Sequence, residues 1–321
     1  MHISVIIPAY NVAPYLRDAM TSVIRQTHGD WSMVVVDDGS IDSTARVASG
    51  FTDRRISLIR QDNAGVSAAR NRGVAGSTSD ACLFLDADDW LAPDALARLA
   101  QALAASPASV ASAGPYARQS IGGIIRFAPP PGCEDLLERL LVRNLFANGG
   151  HLLIRRSAID RAGGFRTGLR YGEDWEYWTR LALLGDFVPA ASRDPVLFVR
   201  VRPGSAYLRM ATDPARFEAA TGAIYGNPDI IRRFGADALR ALRRRAEAET
   251  AWVIGRELIR HGRHREGWRC LGKSLCLTPS LRRLALAGLS PAGMGPFRPY
   301  PARATGGACD SMRDSRGGIH Q

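Results

Sequence analysis

Lysine is nearly missing from these 321 residues: Lys273 is the single one among 42 basic side chains. Cysteine is sparse and scattered, at positions 82, 133, 270, 276 and 309. No pair has zinc-knuckle spacing, and the odd, dispersed set fits free thiols in a reducing compartment better than a disulfide scaffold. No run reaches the roughly 18 apolar residues of a membrane span. The opening MHISVIIPAY has no basic leader and reads as a first strand, so a cytoplasmic protein is expected. Two nucleotide signatures are missing as well. The first strand runs into PAYN without a GxGxxG cluster, and GxxxxGK[ST] does not occur. Dinucleotide and P-loop nucleotide binding are therefore disfavoured.

What is present can build a full core, since 46% of the residues are hydrophobic. The net charge is +11 and unevenly placed: residues 231–300 hold 15 Arg or Lys against 5 Asp or Glu, which is +10 of the total. A basic chain can meet nucleic acid, an anionic membrane or a phosphorylated substrate. No zinc-finger spacing, RRM-like aromatic motif or helix-turn-helix accompanies the charge, so a nucleic-acid-binding protein rests on charge alone.

Strands are expected at 3–7, at the apolar start of 33–40, at 56–61 and at 82–85, alternating with helical periodicity over 12–26, from about 42, over 65–74 and from Pro93 to about 105. Further strands are expected at 109–113, 151–154 and 195–201, and helices at 134–143 and 173–184. Strand, turn and helix in this order predict an α/β fold with a mostly parallel central sheet, whose ligands bind at the carboxyl ends of the strands. Residues 114–132 read as a loop or short hairpin. Beyond 214 the pattern turns helical, with a long arginine-rich amphipathic segment at 236–260 and further helices expected at 264–274 and 280–289. The expected organisation is a main domain over 1–213, a basic helical appendage over 214–290 and a flexible tail over 291–321. The appendage could lie on an anionic membrane or present a plain solvated face.

Two acidic turns fall at strand ends. In LFLDADDW, residues 83–90, Asp86, Asp88 and Asp89 follow a buried run. Unpaired charge is costly there, so the turn is either solvated, with Asp89 capping the next helix, or a site for a divalent cation such as Mg2+ or Mn2+. In VDDGS, residues 36–40, Asp37 or Asp38 could hydrogen-bond a base or ribose, and Gly39 allows close approach or positive φ. The bland reading is an ordinary turn and cap.

SVIIPAYNVAPYL, VVVDDGSIDST, NAGVSAARNRG and LDADDW occur in order and at sensible spacing. Together they resemble the inverting family 2 glycosyltransferases, of GT-A nucleotide-sugar fold, over residues 3 to about 200. The resemblance implies that Pro8, Ala9 and Tyr10 line a base pocket and that Asp38 contacts the base. It puts Arg70 and Asn71 beside the nucleotide, and Asp86 and Asp88 at the ribose, metal and diphosphate, with Asp89 in support. GEDWEYW, residues 172–178, matches the family's ED segment. Asp174 is then the expected base and Glu173 its neighbour or backup, although acids at a helix start also stabilise it. Trp175 is a candidate acceptor contact and Trp178 a core residue. Segment 144–151 could wall the acceptor side, and His151 reads as packed. QxxRW and flanking spans, the marks of processive members, are missing. The resemblance thus implies one sugar moved per encounter, from a UDP-sugar or another nucleotide-sugar donor, to a saccharide or lipid-linked saccharide of a surface polysaccharide or lipopolysaccharide. The rival is a non-catalytic nucleotide-sugar-binding protein, and turnover separates the two.

Overall fold

The computed structural model describes residues 1–120, 123–201 and 217–288. The main sheet contains β1 (Ile3–Ala9), β2 (Trp31–Asp38), β3 (Ile56–Gln61), β4 (Ala81–Phe84), β6 (Ala111–Ala113), β9 (Leu152–Arg155) and β10 (Phe187–Pro189). Their order is β10-β6-β9-β4-β1-β2-β3. β1 pairs in parallel with β2 and β4, β2 with β3, and β6 with β10, while β9 runs antiparallel to β4 and β6. A smaller sheet holds β5 (Trp90–Leu91), β7 (Tyr116–Ser120), β8 (Gly123–Ala128) and β11 (Leu197–Arg200), ordered β5-β11-β7-β8.

Helices cover both faces of the main sheet, as the α/β pattern predicts. α1 (Ala13–Ile24), α2 (Thr44–Ser49), α3 (Val66–Ala75) and α4 (Ala95–Ala105) alternate with the strands. Side chains of a strand point to opposite faces in turn. Accordingly Ile3, Val5 and Ile7 share one core with Leu16, Met20, Leu96 and Leu99, while Ile6 joins a second with Phe84, Tyr177 and Trp178. Burial on both faces explains why β1 is apolar almost throughout. Gly73 lets α3 approach β1, because a Cβ there would stand 2.3 Å from Ile6 Cγ2. That approach carries Arg70, one turn earlier, to the end of the sheet.

α5 (Leu136–Val142), α6 (Arg156–Ala162) and α7 (Glu173–Leu184) lie on the second core. The chain then continues through α8 (Glu218–Tyr225), α9 (Pro228–Arg260), α10 (His264–Leu277) and α11 (Leu281–Ala287). α9 bends where Gly235 leaves helical backbone. Ile224, Tyr225, Ile230, Leu239 and Leu242 belong to the same core as Phe84 and Trp178, so the start of the helical region is continuous with the body. The far half of α9 packs with α10 and α11 around Trp252, Ile259, Leu271 and Ala287. Among the described residues no helix is long and apolar enough to cross a membrane. The expected flexible tail, 291–321, lies outside the described residues.

Candidate active site

Because β1, β2 and β4 are parallel, the turns after Ala9, Asp38 and Phe84 emerge at one edge of the sheet. Pro8 and Ala9 are buried in β1, and Tyr10 is 49% exposed beyond it. Of the three residues expected around a base, Tyr10 therefore presents its side chain. The acidic DDGS turn is committed to the protein itself. Asp38 Oδ1 accepts from Gln61 Nε2 at 2.7 Å and the Ala64 amide at 2.9 Å, and its Oδ2 accepts from the Gly65 amide at 2.9 Å. Asp37, fully buried, accepts from the Ser40 amide at 3.1 Å and Arg60 Nε at 3.2 Å. These carboxylates hold the loop that leads into α3. A buried carboxylate needs such donors, and here the backbone supplies most of them.

Arg70 is the hub of the next group. Its guanidinium, 5% exposed, donates from Nη2 to Asp86 Oδ1 at 3.1 Å and from Nη1 to Glu173 Oε1 at 3.0 Å. It also lies over the Phe165 ring, 5.1 Å from the centroid. Burial opposes its charge, but Asp86, Glu173 and Asp174 outweigh that and raise its pKa. One arginine thus joins the acidic turn after β4 to the acidic start of α7.

Asp86 keeps 32% of its side chain open, yet its carboxyl lies among enough protein that burial raises its pKa; the Asp88 charge adds to this and Arg70 opposes it. Asp88 is half-buried. Asp89, 3% exposed, faces another way. Its Oδ2 accepts from Asn148 Nδ2 at 2.6 Å and its Oδ1 from the Arg200 amide at 2.8 Å. Burial first, then the charges of Asp86 and Asp88, push its pKa well up. Asp89 therefore ties β11 and the 144–148 segment to the acidic turn. Arg200 strengthens the tie by donating from Nε to the Asp88 carbonyl at 2.9 Å.

Asp174 stands in the first turn of α7. Gly172 precedes the helix at φ 73°, and a Cβ there would come 2.8 Å from Ala220 Cβ, so this start admits no other residue without displacement. Asn144 Nδ2 donates to Asp174 Oδ2 at 3.1 Å and the Trp175 amide to Oδ1 at 2.6 Å. Burial and the adjacent Glu173 charge push its pKa up to about 7, against the pull of Arg70. A carboxyl poised there can take or give a proton near neutral pH.

Asn71 is committed to the backbone of a neighbouring loop. Its Oδ1 accepts from the Phe165 amide at 2.7 Å and its Nδ2 donates to the Phe165 carbonyl at 2.8 Å, so the whole side-chain amide is a clamp on that backbone. Trp175 is 4% exposed and donates from its indole to the Leu140 carbonyl at 2.6 Å. It packs chiefly in the core, although it also borders a large cleft. Trp178, 1% exposed, is a core residue. His151 is fully buried between Tyr116 and Phe146. Its Nδ1 lies 2.8 Å from the Gly114 carbonyl and its Nε2 accepts from the Ala147 amide at 3.2 Å, an arrangement that suits the neutral ring protonated at Nδ1. Sequence reasoning missed Asn144, Asn148 and Arg200 as supports. Each binds its acid across 30 or more positions, and no local pattern marks such a pairing.

The cleft bordering Asp174 measures about 1330 Å³. It runs between β8, the 143–147 segment, α9 and α11, and the Asp86–Asp89 turn does not line it. Asp174 thus has an open side distinct from the side of Arg70 and Asp86.

The acids suit a hard cation. Asp86, Glu173 and Asp174 gather around the buried guanidinium of Arg70, with the Asp88 charge beside Asp86. That leaves surplus negative charge and oxygen donors, the preferred ligands of magnesium and manganese. Among the described residues no three His, Cys, Asp or Glu form a ready-made cage. One or two carboxylates completed by ligand phosphates would be the fitting arrangement.

Residues 4–163 match the family model for glycosyl transferase family 2. Over 127 residues the chain is 38% identical to the glycosyltransferase GlyA of Streptococcus pneumoniae serotype 4, a stretch that is 39% of this chain and 18% of that protein. Over 178 residues it is 34% identical to a PGL/p-HBAD biosynthesis glycosyltransferase of Mycobacterium bovis (strain BCG / Pasteur 1173P2), covering 54% of this chain and 67% of that one. Several relatives are matched over only 18% to 35% of their own length. In structure the chain resembles the mannosyltransferase PcManGT from Pyrobaculum calidifontis in complex with GDP-Man and Mn2+. The TM-score is 0.57 at 21% identity, over 92% of this chain and 82% of that one. It also resembles S. aureus TarS 1-349 in complex with UDP-GlcNAc, with a TM-score of 0.53 at 15% identity, over 90% and 92% of the two chains. At these identities the structural likenesses speak to the fold.

Proposed function

The chain belongs to glycosyltransferase family 2, with the GT-A fold, and on that premise we propose that it transfers a single sugar, with inversion, from a nucleotide diphosphate sugar to a hydroxyl of a saccharide or lipid-linked saccharide. UDP is the preferred nucleotide of this reading. The two structural neighbours, in complex with UDP-GlcNAc and with GDP-Man, support a nucleotide-sugar donor in general. The carrying observation is the Arg70 bridge, which links the Asp86 turn to the Glu173–Asp174 helix start.

Asp174 is the general base. It takes the proton of the acceptor hydroxyl while that oxygen forms a bond to the anomeric carbon. The bond from that carbon to the diphosphate oxygen breaks on the opposite face, and the nucleoside diphosphate leaves with the electron pair. One displacement inverts the anomeric configuration. Asn144 and the Trp175 amide fix the Asp174 carboxyl so that it needs little reorientation before reaction. Arg70 offsets charge that develops on the leaving group. A divalent cation held by Asp86 and Asp88, when bound, would supply further positive charge to the diphosphate. Tyr10 covers the base, while Asp37 and Asp38 shape the turn beneath it.

A donor screen with manganese and magnesium tests this, reading released nucleoside diphosphate in the presence of membrane-lipid extract. Transfer by the natural chain and its collapse, roughly 100-fold or more, in Asp174→Asn are expected. Near-normal turnover by Asp174→Asn would overturn the base assignment.

A further inference from the structure

We infer that the cleft beside Asp174 is a subsite for a phosphate-bearing acceptor. The inference rests on the reading of Asp174 as the base that faces the acceptor. Eight arginines line the cleft against two carboxylates, Asp174 and Glu249. The Glu249 charge is already met, by Arg143 at 3.4 Å and by a close pair with Arg283. Two further arginines spend their charge at the cleft's margin, Arg245 on Glu138 at 3.1 Å and Arg256 on Glu257 at 3.3 Å. Of the remaining four, Arg118 is engaged within the protein, and three are left with a net charge facing solvent. Among the described residues neither Arg126 nor Arg282 pairs with a carboxylate, and Arg139 donates to the neutral carbonyls of Gly132 and Glu134. Arg126 projects from β8 and Arg282 from α11, so separate elements bring these charges to one space.

The chemistry of that space is specific. Guanidinium groups match the oxygens of phosphate in a forked, charge-assisted geometry. Three uncompensated arginines exceed the single charge of one sugar carboxylate and suit a phosphate with up to two charges. Trp175, Trp252 and the Pro129–Pro131 run give apolar walls for the rest of such a molecule. The volume of about 1330 Å³ exceeds the roughly 300–1,000 Å³ of a site for one small ligand. An acceptor longer than one sugar fits, with its hydroxyl at Asp174 and its phosphate among the arginines. The phosphate could belong to a soluble phosphosaccharide or to the head of a lipid-linked one.

Equilibrium binding tests the inference without requiring turnover. Two probes are used in excess UDP: glucose 1-phosphate in solution, and phosphatidylcholine vesicles doped with a polyprenyl phosphate. Glucose and glucuronate serve as comparisons. The full chain is compared with Arg126→Glu/Arg282→Glu and with Arg54→Glu/Arg161→Glu, which changes net charge equally at exposed positions outside the cleft. Thermal melting checks that each variant is folded. Saturable binding of either phosphate probe, weakened roughly tenfold or more by the cleft variant and not by the other, supports the subsite. The arm that responds identifies the source of the phosphate. Equal weakening by both variants, no binding in either arm, or glucuronate binding as tightly as glucose 1-phosphate would overturn it. Nucleoside diphosphate release from donor, measured separately on the natural chain, reports the transferase reading, so either claim can fail alone.

Discussion

Arg70 Nη1 reaches Glu173 Oε1 at 3.0 Å across 103 positions of sequence. The same guanidinium holds Asp86, so its loss leaves two acids without their cation. Breaking a buried pair by removing one partner costs about 3–5 kcal/mol. Arg70→Ala is therefore expected to lower stability by roughly that amount in denaturant unfolding. Arg70→Lys keeps a charge but not the fork, and should retain part of the stability while losing most transfer. A stable Arg70→Ala with wild-type donor affinity would show that the bridge matters neither to the fold nor to the site.

Asp174 predicts opposite effects on rate and on stability. Burial and Glu173 raise its pKa to about 7, so the base form appears only as pH rises through that value. Transfer rate should climb with pH and reach half its plateau near 7. The sign for stability is reversed. A carboxyl whose folded pKa is raised favours folding while protonated, and that advantage is lost as pH rises through about 7. At pH 8, Asp174→Asn should thus be more stable than the natural chain, on the order of 1–3 kcal/mol after allowance for its solvent contact, while transferring almost no sugar. A variant that lost both stability and rate would make Asp174 a structural residue.

How much of this was legible in the sequence follows from how local each signal is. The alternation of apolar runs and 3.6-residue periods gave the α/β order, because β1, β2 and β4 are buried on both faces and α1 and α4 on one. α6 and β10, seven and three residues long, were not expected. Positions of the acids were readable from DDGS, DADD and GED, but their partners were not. Asp38 is bound by the amides of Ala64 and Gly65, and Asp89 by Asn148 and the Arg200 amide. Backbone donors leave no trace in residue type, and contacts across a hundred positions leave none in spacing. For the same reason the arginine-rich helices read as a charged surface, and their convergence on the cleft beside Asp174 required the fold.

His151 supplies a test of packing by titration. Burial pushes its pKa down to about 4, while the Gly114 carbonyl pulls slightly the other way. An ordinary unfolded histidine titrates near 6.5. The folded chain thus prefers the neutral ring, and the stability this contributes is complete above about 6.5 and lost as pH falls through about 4. The loss across that window should be roughly 3 kcal/mol. His151→Gln, which can still accept from the Ala147 amide, should flatten the slope of unfolding free energy between pH 6.5 and 4. An unchanged slope would assign the pH dependence to other groups.

Asn71 separates a clamp from a ligand. In the resemblance it stands beside the nucleotide, yet both ends of its amide are bound to the backbone of Phe165. Phe165 in turn carries Arg70 over its ring and packs 3.9 Å, centroid to centroid, from Tyr177. Asn71→Ala would leave the Phe165 amide and carbonyl without partners, at about 1–3 kcal/mol for buried polar groups. The expected result is a lower melting temperature, with donor affinity near normal when measured well below it. Some loss of transfer is also expected, because the Phe165 ring under Arg70 would be less firmly held. If donor affinity instead fell more than tenfold with the melting temperature unmoved, Asn71 would have to leave its clamp and contact the nucleotide directly.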